Sequence, residues 1–399
     1  MTTTKNNEHE KNQGRKVLNV PNLRFPEFEE EWEKFTFDEI AQYKKGPFGS
    51  ALKKDLFVPQ SENAIKVYEQ QNAIKKDWTL SRYYITKDYF NAHMKQFVAK
   101  AGDLIVSCAG TIGEVYELPK DAEEGVFNQA LMRVRVNNEV VNKEIFITVF
   151  SSMIDKFSKI YSNGSAIKNI PPFADLKRTQ VYLPCKEEQI VIAQLLRSLD
   201  ERIATQNKII EDLKKLKSAI SEKLFVGVNG NIVMLSEICD IVKGKQINGE
   251  FLSDSGIYYV MNGGTEPSGY YNEYNVDANT ISISEGGNSC GYVQFNTSPF
   301  WSGGHCYTIQ KIADNVDNLY LYHFLKSKED AIMKLRIGSG LPNIQKKDLA
   351  MFKIKIPTIE QQKAISTFLS SLERKSEVEE RMQNAMQKEK QYLLRQMFI

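Results

Sequence analysis

Little in this chain equips it to do chemistry with its own side chains. Its four histidines, His9, His93, His305 and His323, are scattered, and His305-Cys306 is a lone adjacent pair rather than a ligand set. Five cysteines (Cys108, Cys185, Cys239, Cys290 and Cys306) make an odd count without a CxxC pair. That favours reduced thiols in a cytoplasmic protein over a disulfide framework. No phosphate-binding GxxxxGK[ST] loop occurs: Gly244-Lys245 runs into Gln246 and has no glycine at the upstream position, which argues against an ATPase. A GxSxG nucleophile elbow is missing too. No apolar run approaches the roughly 18–20 residues needed to cross a bilayer. The polar stretch Met1–Lys16 lacks the apolar core of a signal peptide, and 1–18 reads as a disordered tail. Net charge is only +2, so any basic footprint for nucleic acid has to be local.

What the chain does have is a repeat. Asp175-Leu176, Pro184, Glu187, Gln189, Ile192, Leu196, Ser198 and Leu199 recur as Asp348-Leu349, Pro357, Glu360, Gln362, Ile365, Leu369, Ser371 and Leu372, each 173 positions later. Just upstream, Gly164-Ser165 and Asn169-Ile170 recur as Gly338-Ser339 and Asn343-Ile344. A repeat this long means two domain-sized units, and 399 residues are enough for two or three domains with real cores. Fainter echoes, Glu39-Ile40 with Lys45-Gly46 against Glu237-Ile238 with Lys243-Gly244, extend the duplication upstream.

The first unit is expected over 19–184 and the second over 227–357. Short apolar or alternating segments between Gly, Asn and Pro predict strands at Asp103–Ser107, Gly113–Leu118 and Ala130–Val136, then at Tyr258–Met261, Thr280–Ser284 and Cys306–Ile312. Helical patterns fill equivalent slots at Lys143–Tyr161 and Leu319–Leu335. After each unit comes a longer helix, over 185–226 and 358–399. Ile192, Leu196, Leu199, Ile203, Ile210, Leu213, Ile220 and Leu224 fall on a 4-3 spacing, with Gln206 and Lys217 as the polar steps. The second helix starts equally well at Ile365, Leu369 and Leu372, but Ser376, Glu379 and Gln383 occupy its middle seam positions. Antiparallel pairing of the two satisfies the connectivity without a long return loop. A helix of about 35 residues spans about 50 Å, more than the roughly 34 Å of one DNA turn.

Candidate DNA contacts follow from chemistry. Lys44-Lys45-Gly46-Pro47-Phe48-Gly49-Ser50, followed by Lys53-Lys54, is a Gly-rich loop flanked by cations. Its backbone N–H groups can approach phosphates while the lysines supply the salt-dependent attraction. Lys168 and Asn169 in the shared loop of the first copy, and Asn343, Lys346 and Lys347 in the second, belong to the same class, as do Lys243 and Lys245. Base reading needs Asn, Gln, Arg or Ser on loops. Arg82, Ser107 and Thr111 qualify in the first unit, and Asn262, Asn288 and His305 in the second. Asn169-Ile170-Pro171-Pro172-Phe173 resembles the Asn-Pro-Pro-Phe loop of adenine methyltransferases. The extra Ile breaks that spacing, however, and the repeat partner keeps no prolines, so a structural loop is the better reading.

These features together resemble the specificity subunit of type I restriction–modification systems over nearly the whole chain. The carrying residues are Val20-Pro21-Asn22-Leu23-Arg24-Phe25-Pro26-Glu27-Phe28 with Trp32, the Gly46–Ser50 loop, and Gly102-Asp103-Leu104-Ile105-Val106-Ser107 with Gly110-Thr111-Ile112-Gly113. Asn262-Gly263-Gly264 with Pro267-Ser268-Gly269-Tyr270, Ser302-Gly303-Gly304-His305-Cys306 and the two Pro-x-x-Glu-x-Gln helix starts complete it. The resemblance implies an α+β architecture: two mixed α/β target-recognition domains separated by two long helices in an antiparallel coiled coil. It implies that each domain reads half of a bipartite double-stranded DNA site. The helices, through Ile192, Leu196, Leu199, Ile203, Ile365, Leu369 and Leu372, would dock two modification (methyltransferase) subunits, and two restriction subunits would join them. The chain itself would be non-catalytic and bind no cofactor, with S-adenosylmethionine, ATP and magnesium used by the complex. A stand-alone methyltransferase or fused restriction enzyme is one alternative; S-adenosylmethionine binding by the isolated chain would revive it. A coiled-coil adaptor without a DNA role is the other.

Overall fold

The computed structural model describes residues 19–161, 172–338, 340 and 342–398. The tail at 1–18, Lys168 and Asn169 lie outside these. The described chain divides into two compact units. One comprises Met1–Arg202 with Met386–Ile399; the other comprises Ile203–Ala385. Each unit therefore holds a β-rich head and a portion of both long helices.

In the first unit a four-stranded antiparallel sheet runs Ala41–Lys45, Leu131–Val136, Leu104–Ser107, Val115–Glu117. A second sheet orders Tyr84–Thr86, Ala64–Tyr68, Gly125–Phe127 and Val98–Ala99, the middle two parallel. Glu33–Thr36 closes against Gln180–Leu183 as an antiparallel ribbon at the unit's exit. The second unit repeats this scheme where its sequence no longer resembles the first. Its four-stranded sheet runs Asp240–Lys243, Cys306–Gln310, Thr280–Ser284, Val293–Asn296. Tyr258–Met261 pairs in parallel with Trp301–Ser302, and Asn231–Met234 closes on Lys353–Ile356. Helix Lys143–Tyr161 appears as predicted, whereas Leu319–Leu335 is broken into Asn318–Ser327 and Glu329–Met333.

The repeated glutamines explain the best-preserved part of the duplication. Gln189 is almost fully buried; its Nε2 donates to the carbonyls of Pro184 (2.9 Å) and Val140 (3.1 Å), and its Oε1 accepts the Asn142 N–H (2.6 Å). Gln362 makes the same three contacts, to Pro357 (2.9 Å), Asn315 (3.0 Å) and the Asp317 N–H (2.8 Å). Asn142 and Asp317 in turn cap the head's helix, accepting the N–H groups of Glu144 and Tyr320. A buried amide must satisfy its donors and acceptor, and each Gln does so by tying a long helix to the head it leaves. The lead-in segment is tied down separately: Arg24 makes two hydrogen bonds, of 2.8 and 2.7 Å, to the fully buried Glu188 carboxylate.

The long helices run Lys186–Gly227 (42 residues) and Ile359–Met397 (39 residues). Their pairing is antiparallel within each unit. In the first, Lys390 pairs with Asp200 and Met397 joins the core formed by Trp32, Ile192 and Leu196. In the second, Lys217 pairs with Glu373 (2.6 Å), and Lys214 with Glu380 (2.6 Å). Two of the polar seam positions, Gln206 and Glu379, are matched to each other, and Gln383 takes a partner beside the seam. Gln206 Nε2 donates to the Glu379 carboxylate (2.7 Å) and its backbone carbonyl (3.1 Å), and Gln383 donates to Asn207. The poor middle of the second helix is therefore a polar layer with assigned partners, the arrangement that specifies register and orientation in coiled coils.

The seam also corrects the docking residues. Ile192, Leu196 and Leu369 are buried in the cores of their own units, Ile365 and Leu372 are half-buried against the core of the second, and Leu199 and Ile203 are half-buried along the helix. A side chain spent on its own core offers little area to another subunit. Four of the cysteines are buried as well and all five are free; burial pushes the Cys108 and Cys239 thiols up to about 12.

Candidate nucleic-acid interface

In the second unit, antiparallel register brings the end of Asp240–Lys243, the end of Thr280–Ser284 and the start of Cys306–Gln310 to one rim of the sheet. The parallel pair Met261↔Ser302 adds Asn262–Gly264, and the bridge Gly286↔Asn343 adds the loop before the helix Lys346–Ala350. Three Gly-Gly loops thus meet at one place. Their closeness requires glycine: a Cβ on Gly303 would stand 2.5 Å from Asn262 Oδ1, and one on Gly244 would stand 2.2 Å from the Gly303 carbonyl. Lys243 Nζ lies 2.6 Å from Glu285 Oε1, which also accepts from the Tyr307 hydroxyl (3.1 Å). Burial pushes that hydroxyl's pKa up, so it remains protonated and a donor. His305 is exposed, and Asn262 Oδ1 accepts its backbone N–H at 3.1 Å.

The first unit builds the same rim from different residues. Gly46 donates to the Leu131 carbonyl at 2.9 Å and packs so tightly on Asn128 that a Cβ would fall 1.9 Å from its carbonyl oxygen. Pro47 is buried behind it, and Phe48 is 90% exposed. Gly49, Ser50, Lys53 and Lys54 follow on the surface, across two short 3-10 turns. Lys44 donates to Gln96 Oε1 (2.8 Å) and lies over the Phe97 ring. Arg82 is exposed, stacked on Tyr83 and 3.3 Å from Glu69, which follows Tyr68, whose carbonyl accepts the Asn128 N–H. Lysines beside loops with close backbone approach and an exposed aromatic form a surface suited to phosphates and base faces.

A sequence profile of the type I restriction modification DNA specificity domain matches residues 29–215 and again 228–388. The chain belongs to that family. It is 34% identical over 155 residues to a putative type I specificity subunit of Mycoplasma pneumoniae, covering 38% of this chain and 41% of that protein. The corresponding match in Mycoplasma genitalium, at 31% identity, also spans 41% of the relative. The MjaVIII specificity subunit of Methanocaldococcus jannaschii is 22% identical over 93% of this chain and 92% of its own length. The fold matches the crystal structure of the S subunit of a type I restriction-modification system from M. genitalium. The TM-score is 0.61 at 20% identity, covering 95% of this chain and 99% of that one. A second solved chain, from a study of assembly and conformational transition in a type I system, gives 0.58 at 16% identity.

In this specificity subunit the sequence-predicted residues of each unit gather at one rim. Lys45, Gly46, Phe48 and Thr111 do so in the first; Lys243, Lys245, Asn262, Asn288, His305 and Asn343 do so in the second, with Lys346 and Lys347 exposed just beyond. Ser107 is the exception. It is fully buried and its hydroxyl accepts the Glu114 N–H (3.0 Å), so it braces the turn carrying Thr111 and presents nothing to a base. Two residues were missed. Phe251 is 66% exposed in the loop matching that of Phe48, and Glu285 lies at the strand end beside Lys243. The Lys-Gly pair shared by the two loops marks the slot of Phe251, but nothing in the sequence sets Glu285 apart from a solvated carboxylate. Among the described residues no helix is long and apolar enough to cross a membrane, and no group of three His, Cys, Asp or Glu could hold a metal.

Proposed function

We propose that this specificity subunit is non-catalytic and reads a bipartite double-stranded DNA site, one half with each head. Its helices set the unread gap and dock two modification subunits, and through them two restriction subunits. The observation that carries this is the repeated rim: one topology, built twice, ends each time in Gly-rich loops bearing lysines, amides and an exposed aromatic. Two divergent versions of one surface suit two different half-sites. S-adenosylmethionine, ATP and magnesium belong, in this reading, to the partner subunits.

Docking is assigned to a second stripe on the helices, one residue before each seam position. In the second unit Ile209, Leu216 and Val226 form it on one helix and Phe368, Val378 and Met382 on the other, and all six are exposed. The six fall on a 4-3 track whose other positions are Asp212, Ala219 and Lys223 on the first helix and Ser371 and Lys375 on the second, and Ile209 and Met382 are equivalent in the repeat. Antiparallel helices are related by a two-fold perpendicular to their axes, so equal offsets fall on one side of the pair. The result is an apolar face beside the seam, the kind of surface that marks a protein partner.

Grafting a homologue's residues over 228–357 into the full chain tests the reading, with methylated adenines mapped in cells carrying the partner subunits. One half of the site is expected to change and the other to persist; a change in both halves refutes the modular assignment. Phe368→Glu with Met382→Glu is expected to abolish co-purification of the modification subunit, and undiminished co-purification refutes the docking face.

A further inference from the structure

We propose that Glu285 is the residue with which the second head reads a C·G base pair in the major groove; the proposal rests on the DNA-reading function above. Glu285 is 7% exposed, and its two oxygens are unequal. Oε1 accepts from Lys243, and the Tyr307 hydroxyl shares its one proton between Oε1 and the Ile344 carbonyl, each 3.1 Å away. Oε2 is buried and has no hydrogen-bond donor. A buried carboxylate oxygen without a donor is costly, and such an orphan in a folded protein points to a partner that arrives from outside. His305 Nδ1 is 3.7 Å from Oε2, beyond hydrogen-bond length, on a ring that is 62% exposed.

The surroundings suit a planar ligand. Gly263 and Gly286 lie against His305 and carry no side chains, so rotation of the exposed imidazole admits a base edge to Oε2. What that oxygen lacks is a donor, and an exocyclic amine supplies one. Lys243 sits beside it with an ammonium that has three N–H bonds, one of them spent on Oε1. Acceptor and donor side by side complement the cytosine N4 amine next to guanine O6. An A·T pair also presents an amine beside an oxygen, but its thymine methyl would lie against the lysine charge, which favours C·G.

The test uses the full chain assembled with its modification subunits, and duplexes varied one position at a time. Glu285→Gln keeps the shape and exchanges part of the acceptor for a donor. Discrimination at one C·G position is expected to fall roughly ten- to a hundredfold, with every other position unchanged. Tyr307→Phe removes buried contacts to Oε1 and to the Ile344 carbonyl, neither of them to Oε2, and is expected to lower Tm while leaving the base profile intact. An unchanged profile for Glu285→Gln overturns the proposal, as does a Tyr307→Phe variant that relaxes the same position equally, since Glu285 would then be a brace. A wild-type complex without sequence preference would overturn the DNA-reading function itself.

Discussion

Replacing Gln362 by Leu should uncouple the second head from the helix it leaves, and Gln189→Leu should do the same to the first. Leucine roughly fills the space, so the cost is one of unmet polar groups. In Gln362→Leu the Asp317 N–H and the carbonyls of Asn315 and Pro357 lose a partner. Each buried group left unsatisfied costs about 1–3 kcal/mol, while burying leucine in place of an amide returns about 1–2 kcal/mol. With three groups stranded a net loss of about 1–8 kcal/mol follows, a large part of the roughly 5–15 kcal/mol that holds a domain folded. Hydrogen exchange on the full chain reads it locally. Protection should fall in Asn318–Ser327 and in the first turns of Ile359–Met397 for Gln362→Leu. In Gln189→Leu it should fall instead in Lys143–Tyr161 and the first turns of Lys186–Gly227. Losses below about 0.5 kcal/mol, or losses spread over both units by one substitution, would refute the claim that these amides are the local anchors.

Two further outcomes test the helices. Gln206→Leu and Glu379→Leu singly should each destabilise, because each strands the other's polar group, whereas the double variant should recover stability, with a coupling energy of about 1 kcal/mol in a urea-denaturation cycle; zero coupling would refute the polar layer. Burial lowers the pKa of His323, hydrogen-bonded to Ser370 (2.9 Å) and with Glu373, Lys217 and Asp317 nearby, to about 4. The unfolded chain therefore takes up this proton first, and stability should be full above about pH 6.5 and fall by at most about 3 kcal/mol as pH drops towards 4; denaturation of His323→Gln over the same range should lack that component.

Periodicity made much of the fold legible. Tyr258–Met261, Thr280–Ser284 and Lys143–Tyr161 occur as predicted, because each presents an apolar face to a core at its own period. The break at Lys328 was not legible. No glycine or proline marks it; Lys328 leaves helical geometry while Ser327 Oγ bonds back to the Phe324 carbonyl. The pairing of Tyr258–Met261 with Trp301–Ser302 was equally silent, since two-residue strands carry no pattern. The 4-3 seam told which helix face is buried but not against what, so Ile192, Leu196 and Leu369 were taken for docking residues when they belong to their own cores. At the rims, composition found the lysines and amides. Glu285 escaped because its significance lies in an orphaned oxygen, which is a property of the packing.

The distribution of the repeat has a mechanical reason. Gln189 and Gln362 reach backbone groups only: two carbonyls and an N–H each. Backbone atoms are the same whatever side chains the head carries, so the clamp constrains the path of the chain at each head's exit and leaves its rim loops free. The first rim can then use Asn128 where the second uses Gly303, and Cys108 where the second uses Glu285, without disturbing the junction to the helix. Had the clamp gripped side chains, each change at a rim risked loosening the head, and the two copies would have had to diverge together. An anchor written in backbone hydrogen bonds lets two heads of one topology present different surfaces on an unchanged frame.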